Sequence, residues 1–383
     1  MPGRTLRIAR IAGIQFGISP WWLVVVVLFS WVLGDSYFPE HVPGIAPAAA
    51  YALGLASVLL LFASIVAHEF GHALVARRHG IEVDEIDLWL LGGVARMRGE
   101  AHAPGDELDY ALAGPAVTAL VGACFGAAAL LLPSSSPAAI RALLEYQAYV
   151  NAAILAFNLL PAFPLDGGRV LRAVLWKRSG ELGAATQKAA DVGRAFGYLM
   201  IALGVLELIL GGAMGLWFAL LGFFIVSAAR QEVVGTEIRT TFSGVSAAEL
   251  MSSPVVAIPA ESSIAQVADS YFALHPYNTF PVVDSQGAAV GLISAVLLES
   301  RRAETARTAG ELADREPDLL VALDEDVAGV LERPAFARVG RAVVVDPEHR
   351  PVGLLSITDI EGALRAGRVR RRADGRRSPA RVG

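Results

Sequence analysis

Apolar runs approaching or exceeding the length a helix needs to cross a lipid bilayer, about 20 residues, recur through the first 230 residues of the chain. Six stand out, at about 18–33, 46–76, 108–132, 146–160, 192–210 and 214–229. One water-soluble core cannot hide that much apolar surface, so lipid must be part of the solvent. The composition agrees. Of 383 residues 54% are hydrophobic and only 18% charged, with mean hydropathy +0.51, whereas soluble domains carry about 25% charged residues. Disordered, collagenous and disulfide-framework classes are excluded, the last because Cys124 is the single cysteine. A small packing role is expected for it. A net charge of −5 argues against nucleic acid as a partner.

The first run follows a basic stretch and could pass for a signal peptide, but no small-residue cleavage site follows it and Tyr37-Phe38 are bulky, so retention is expected. Cations set the orientation. Arg4, Arg7 and Arg10 precede the first run. Arg77, Arg78, Arg96 and Arg98 follow the second, Arg169, Arg172, Lys177, Arg178 and Lys188 the fourth, and Arg230 the sixth, while Arg141 alone lies on the other side. The excess of Lys and Arg on one side predicts six transmembrane helices with both termini cytoplasmic, in a plasma membrane.

Within the second run lies His68-Glu69-Phe70-Gly71-His72. On a helix, residues four apart share a face, so two imidazoles converge on one ion and Glu69 can reach a water bound to it. Zinc suits that arrangement: it lowers the pKa of its water and an adjacent carboxylate takes the proton. Ionisable groups inside a membrane span are functional by default. A catalytic zinc has three protein ligands and one open position. Asp166 is the candidate third, in the proline-broken segment Asn158-Leu159-Leu160-Pro161-Ala162-Phe163-Pro164-Leu165-Asp166-Gly167-Gly168-Arg169, at the same cytoplasmic end as the histidines. Pro161 and Pro164 prevent a continuous helix there. The other histidines, His41, His79, His102, His275 and His349, are expected to be solvated.

His-Glu-x-x-His in one membrane helix, with Asn-x-x-Pro-x-x-Pro-Leu-Asp-Gly in a later one, resembles the site-2 proteases, intramembrane zinc metalloproteases. The resemblance covers about residues 10–230. It implies His68, His72 and Asp166 as ligands of one zinc ion and Glu69 as the catalytic base. It implies Asn158 as a substrate- or oxyanion-binding residue, with Asn151, seven residues earlier on the same helical face, as a further candidate. Residues 81–100 alternate in polarity around Gly92-Gly93 and read as a hairpin with a glycine turn. They resemble the family's membrane-reentrant β-loop, which implies a substrate clamp: a transmembrane helix must unwind before hydrolysis, and a strand edge can take up its freed backbone groups. Ala113-Gly114-Pro115 also matches a family feature and reads as close helix packing.

Beyond Arg230 the pattern changes to short β-branched strands alternating with amphipathic helices. Phe280-Pro281-Val282-Val283-Asp284 with Val290-Gly291-Leu292-Ile293-Ser294 recurs about 62 residues later as Ala342-Val343-Val344-Val345-Asp346 with Val352-Gly353-Leu354-Leu355-Ser356. The repeat resembles a tandem pair of cystathionine-β-synthase (CBS) domains. Such pairs commonly bind adenine nucleotides. The second copy keeps the ribose-contacting pattern in Gly353, Ser356 and Asp359; the first has Leu297 where the acid should stand.

The fold expected is therefore a polytopic α-helical membrane protein with about six transmembrane helices and a reentrant β-hairpin (1–232), followed by a soluble α+β pair of CBS domains (246–300 and 307–366) and a basic, disordered tail (367–383). The function expected is hydrolysis of membrane-protein substrates, such as anti-sigma factors or membrane-tethered regulators, in or near their transmembrane segments. The CBS pair would regulate it and could supply a homodimer contact. A CBS-gated metal transporter or channel is the rival reading. Glu69 separates the two, since hydrolysis needs a base beside the metal-bound water and permeation does not.

Overall fold

The computed structural model describes residues 6–11, 13–89, 92–98, 101, 103–300 and 308–375. It divides into two compact units, 1–236 and 237–383, four residues beyond the boundary expected at 232.

The first unit opens with two strands, β1 (Leu6–Ile11) and β2 (Ile14–Ile18), an antiparallel pair turning at Gly13, whose φ is +84°. In the sequence this stretch reads only as a basic leader to the first span. Helix α1 (Trp21–Val32) runs through a π-helical turn at Leu33–Tyr37 into the short α2 (Phe38–His41). Next come α3 (Pro47–Arg78), strands β3 (Glu82–Trp89) and β4 (Gly92–Arg98), and helices α4 (Pro104–Leu131), α5 (Ala138–Asn158), α6 (Asp166–Ser179), α7 (Leu182–Ile209) and α8 (Gly215–Phe242).

Among the described residues five helical segments are long and apolar enough to cross a membrane: Trp21–His41, α3, α4, α7 and α8. The remaining expected span, the fourth, is α5, long enough at 21 residues but carrying the buried amides Gln147 and Asn151. Outward faces of these helices are apolar, with Trp21 67% and Leu199 54% exposed, as a lipid-facing surface requires. Cys124 is exposed on α4 rather than packed inside. Where helices meet, small residues let backbones approach: a Cβ on Gly54 would stand 2.4 Å from the Ser30 carbonyl oxygen.

The strands form one sheet in the order β1-β2-β3-β4, with β2 and β3 parallel. Its apolar face, Ile14, Phe16 and Val83, packs on Ala73 and Ala76 of α3. The expected hairpin is therefore present but widened to four strands. Gly92 and Gly93 open β4, opposite Trp89 and Leu88, rather than forming the turn; Leu90 and Leu91, between the strands, lie outside the described residues, as do His102 and Arg4.

The second unit holds two three-stranded sheets: β5 (Ile258–Pro259), β6 (Thr279–Val283) and β7 (Ala289–Ser294), then β8 (Leu320–Ala322), β9 (Arg341–Val345) and β10 (Pro351–Ser356). In each, a short strand lies parallel to the next and that one antiparallel to the third. Val282 opposes Gly291 as Val344 opposes Gly353, so the sequence repeat is a structural repeat. The copies exchange their leading segments. Ala247 lies in the core of the second copy and Ser252 bonds Leu354, while Ala309 and Leu312 lie in the core of the first. A shared cluster of Ala289, Leu292, Leu319, Ala335, Val343 and Val345 joins the two. The closing helix Ile357–Gly375 continues through 367–375, expected to be disordered; its alanines and arginines are good helix formers. Residues 301–307 and 376–383 lie outside the described residues.

Candidate metal centre

Helix α3 presents His68 and His72 one turn apart on a buried face, 6% and 3% exposed. Asp166 is the first residue of α6 and meets both: Oδ2 lies 3.2 Å from His68 Nε2 and Oδ1 3.2 Å from His72 Nε2. The two Nε2 atoms are 3.2 Å apart. This is the one group of three or more potential metal-ligating side chains found among the described residues. Ligands about 2.0–2.1 Å from a tetrahedral zinc stand about 3.3 Å from one another, so the triangle has the dimensions of one face of such a site. The donor set fits too. Two imidazole lone pairs facing each other repel, and a cation bound by both and by the carboxylate removes that repulsion.

Outer contacts fix the histidine tautomers. His72 Nδ1 lies 2.7 Å from the Tyr110 carbonyl oxygen, which can only accept, so Nδ1 carries the hydrogen and Nε2 presents its lone pair. His68 Nδ1 meets Thr118 Oγ1 at 2.8 Å and donates to it when Nε2 ligates. Both partners belong to α4, and so does Gly114 of the Ala-Gly-Pro motif. A Cβ there would stand 2.2 Å from His72 Nε2 and 2.7 Å from His68 Nε2. The expected close packing is real, and it lets one helix backbone lie against both imidazole Nε2 atoms.

Asp166 is brought in by the broken segment. Helix α5 stops at Asn158, and the chain turns through 159–165 before α6 begins. Gly167 makes the turn possible, since a Cβ on it would lie 2.3 Å from the Leu159 and Leu160 carbonyl oxygens. Glu69 is half-buried beside His68, and its carboxylate feels the charges of Asp166 and Arg169. Arg169 stacks its guanidinium 5.4 Å over the Tyr110 ring.

The other expected residues divide. Asn158 is half-buried at the end of α5. Asn151 is fully buried, its Nδ2 donating to the Gln147 carbonyl at 2.8 Å, and Gln147 in turn donates to the Ser57 carbonyl at 2.8 Å. His79 is not simply solvated: Nδ1 lies 3.0 Å from Asp106 and Nε2 3.5 Å from Asp109. In the second unit, Asp359 Oδ2 accepts from the Ser356 N–H at 2.9 Å and Oδ1 from Ser252 Oγ at 3.0 Å, whereas Ser294 of the first copy merely caps Leu297.

The sequence does not single out Tyr110, Thr118, Glu107 or Glu232 as site residues, and Arg172 enters it only among the cations that set orientation. Positions 107, 110, 114 and 118 repeat at three and four, which puts them on one face of an otherwise apolar helix, and that was the available signal.

A membrane-embedded bundle whose buried His-His-Asp triangle carries a glutamate beside its first histidine defines a metal-dependent hydrolase acting within the bilayer, joined here to a paired α/β fold. The profile of peptidase family M50 matches residues 56–140 and 129–203, and that of the CBS domain residues 247–296. The chain is 35% identical over 364 residues to the zinc metalloprotease Rip3 of Mycobacterium tuberculosis, covering 93% of this chain and 91% of the relative. A zinc metalloprotease of Methanocaldococcus jannaschii is 31% identical over 309 residues, covering 80% and 84%. The solved site-2 protease of that organism is 29% identical, with TM-score 0.39, covering 60% of this chain and 95% of the other. The chain belongs to peptidase family M50, the site-2 proteases, and carries a CBS domain pair after its membrane part. Between the two readings of the sequence, the protease stands and the transporter falls.

Proposed function

We propose that the protein cuts membrane-protein substrates, such as anti-sigma factors or membrane-tethered regulators, in or near their transmembrane segments, using one zinc ion held by His68, His72 and Asp166. The observation that carries the ligand assignment is the 3.2 Å triangle of their donor atoms. Bound there, zinc would acidify a water and polarise the peptide carbonyl. Glu69 takes the water's proton on its carboxylate and returns it to the leaving amine. Asp166 brings a negative charge that helps offset that of the metal. Thr118 and the Tyr110 carbonyl hold the imidazoles in their ligating tautomers.

Asn158, half-buried at the end of α5, offers an amide to the substrate backbone or the developing oxyanion. Asn151, turned along its own helix, supports that helix from within. Strand β4 is an edge strand of the sheet, and its unpaired side suits an unwound substrate segment, with Gly92 and Gly93 leaving the backbone uncovered at its start.

The CBS pair regulates the membrane part. Supporting this, α8 runs from Gly215 to Phe242, and the Phe242 ring is buried in the core of the second CBS copy. An adenine nucleotide at that copy would exchange its ribose hydroxyls for Ser252 on Asp359. A homodimer through the pair, a plasma-membrane location and cytoplasmic termini complete the reading, the last from the placement of the arginines.

The test is purified full-length protein in detergent beside Glu69→Gln, assayed for zinc by elemental analysis and for cleavage of single-span substrates. Both are expected to hold one zinc and only the wild type to cut. Cleavage by Glu69→Gln at the wild-type rate refutes the base assignment, and loss of neither zinc nor activity on chelation refutes the metal mechanism.

A further inference from the structure

Helix α6 delivers the third ligand yet is neither a span nor long, so its rotation and depth must be fixed by something other than the bilayer. Six residues after Asp166, on a different face of the helix, stands Arg172, 6% exposed. Its Nε lies 2.5 Å from Glu107 Oε1, near the start of α4, and its Nη1 2.5 Å from Glu232 Oε1 on α8. Its guanidinium also lies 5.4 Å from the centre of the Phe163 ring, in the broken segment leading into α6. One side chain thus ties α6 to two helices and to its own approach loop.

Glu107 shares a helix face with Tyr110, Gly114 and Thr118. Those three set the histidines: Tyr110 and Thr118 hold the imidazoles, and Gly114 fits between their ligand nitrogens. The same face of α4 therefore serves as the common reference for both halves of the metal site, the histidines by direct contact and the aspartate through Arg172.

We propose that Arg172, clamped between Glu107 and Glu232, is a positioning residue that registers α6 against α4 and so holds the Asp166 carboxylate at ligating distance from His68 and His72. Stability alone is a poor reason to keep such a cluster. Buried charges cost more desolvation than they regain unless the geometry is good, and apolar replacements of whole clusters are often neutral or stabilising. A guanidinium suits the task because its planar fork offers donors along separate edges to two carboxylates at once, which an ammonium cannot do in fixed geometry.

The inference rests on the assignment of His68, His72 and Asp166 as ligands, and the experiment keeps the two apart. Zinc affinity of the full-length protein in detergent is measured by competition with a chromogenic chelator, alongside thermal unfolding of the zinc-free form. Four variants are compared: Arg172→Met, Arg172→Lys, the uncharged triple variant E107Q/R172M/E232Q, and Asp166→Ala. The triple variant is expected to fold, because none of the three charges is left without its partner and Arg169 beside the cluster keeps Asp166 and Tyr110, yet to bind zinc about 10–100-fold more weakly, the cost of losing an outer support. Arg172→Lys is expected to restore part of the affinity that Arg172→Met loses. If the triple variant binds zinc as tightly as the wild type, Arg172 only stabilises the bundle and the proposal is wrong. If Asp166→Ala binds as tightly as the wild type, the ligand assignment itself has failed. Should Arg172→Met not fold, the triple variant decides alone.

Discussion

Gly114→Ala is the sharpest single perturbation of this site, because it adds one methyl group to the helix that does not supply a ligand. That carbon would stand 2.2 Å from His72 Nε2 and 2.7 Å from His68 Nε2, where real Cβ contacts under 3.0 Å essentially never occur. The His72 nitrogen, or the backbone of α4, must therefore withdraw by about 0.8 Å. Ligand distances in a zinc site tolerate about 0.2 Å, so the shift is several times what coordination allows. The two imidazoles cannot retreat freely, since Nδ1 of each is held by Tyr110 or Thr118. A loss of about 10–100-fold in zinc affinity, or about 1.4–2.7 kcal/mol, is the minimum expected, on the scale of losing an outer-shell partner. Overpacking should also cost about 1–3 kcal/mol of folding stability. Zinc per chain after gel filtration, chelator competition and substrate cleavage measure the effect. Gly122→Ala is the control: Gly122 lies on the same helix as Gly114, and its Cβ would meet the Cβ of Asn151 at 3.2 Å and the Ala148 carbonyl oxygen and Ala152 nitrogen at 3.9 Å, none of them a metal-site residue. Wild-type zinc affinity in Gly114→Ala, or an equal loss in Gly122→Ala, would refute the reasoning.

Asp166→Asn removes the ligand charge while keeping shape, and zinc affinity should fall beyond the roughly 10–100-fold typical of outer partners; elemental analysis showing full occupancy at submicromolar free zinc would exclude Asp166 as a ligand. Thr118→Val leaves the His68 Nδ1–H without an acceptor, and a fall of about tenfold in affinity is expected, with Thr118→Ser close to wild type in the same chelator competition. Asp359→Ala should weaken binding of AMP to the full chain by about tenfold or more, the worth of a hydrogen bond to a charged group; calorimetry showing unchanged binding removes Asp359 from the proposed ribose contact.

The residues of the candidate site were legible because membrane burial makes ionisable residues expensive, so His68, Glu69, His72 and Asp166 stood out against apolar surroundings. The repeat in the second unit was legible for a different reason: β6-β7 and β9-β10 are built from matching residues, and identity of pattern needs no knowledge of contacts. What was hidden depends on packing between distant segments. Glu107 and Arg172 are 65 residues apart, and nothing local says that they meet. The strands β1 and β2 were missed because Arg7 and Arg10 read as a topological signal, although Ile14, Phe16 and Ile18 alternate as a strand should. The exchange of leading segments between the CBS copies escaped too, because a swapped and an unswapped pair carry the same apolar pattern. For Cys124 the one-way nature of burial rules explains the miss: in a bilayer, a small apolar residue is as content facing lipid as facing a neighbour.

The position of the ligands along α3 explains how a hydrolytic site can exist in a bilayer at all. Thirty-two residues make a helix of about 48 Å, well beyond a hydrocarbon core of about 30 Å. The helix therefore overshoots, and its basic end, Arg77 and Arg78, belongs at the interface where cations find headgroups and water. His72 precedes Arg77 by five residues and His68 by nine, so the ligands lie about 8 and 14 Å inward along the axis. That depth is close enough for water to arrive from one side. Buried charges near that layer need partners other than solvent, and Arg172 meets Glu107 and Glu232 at hydrogen-bonding distance. The polar cost of the site is thus concentrated within about three helical turns of one face, and a peptide bond presented to Glu69 must come from the same layer.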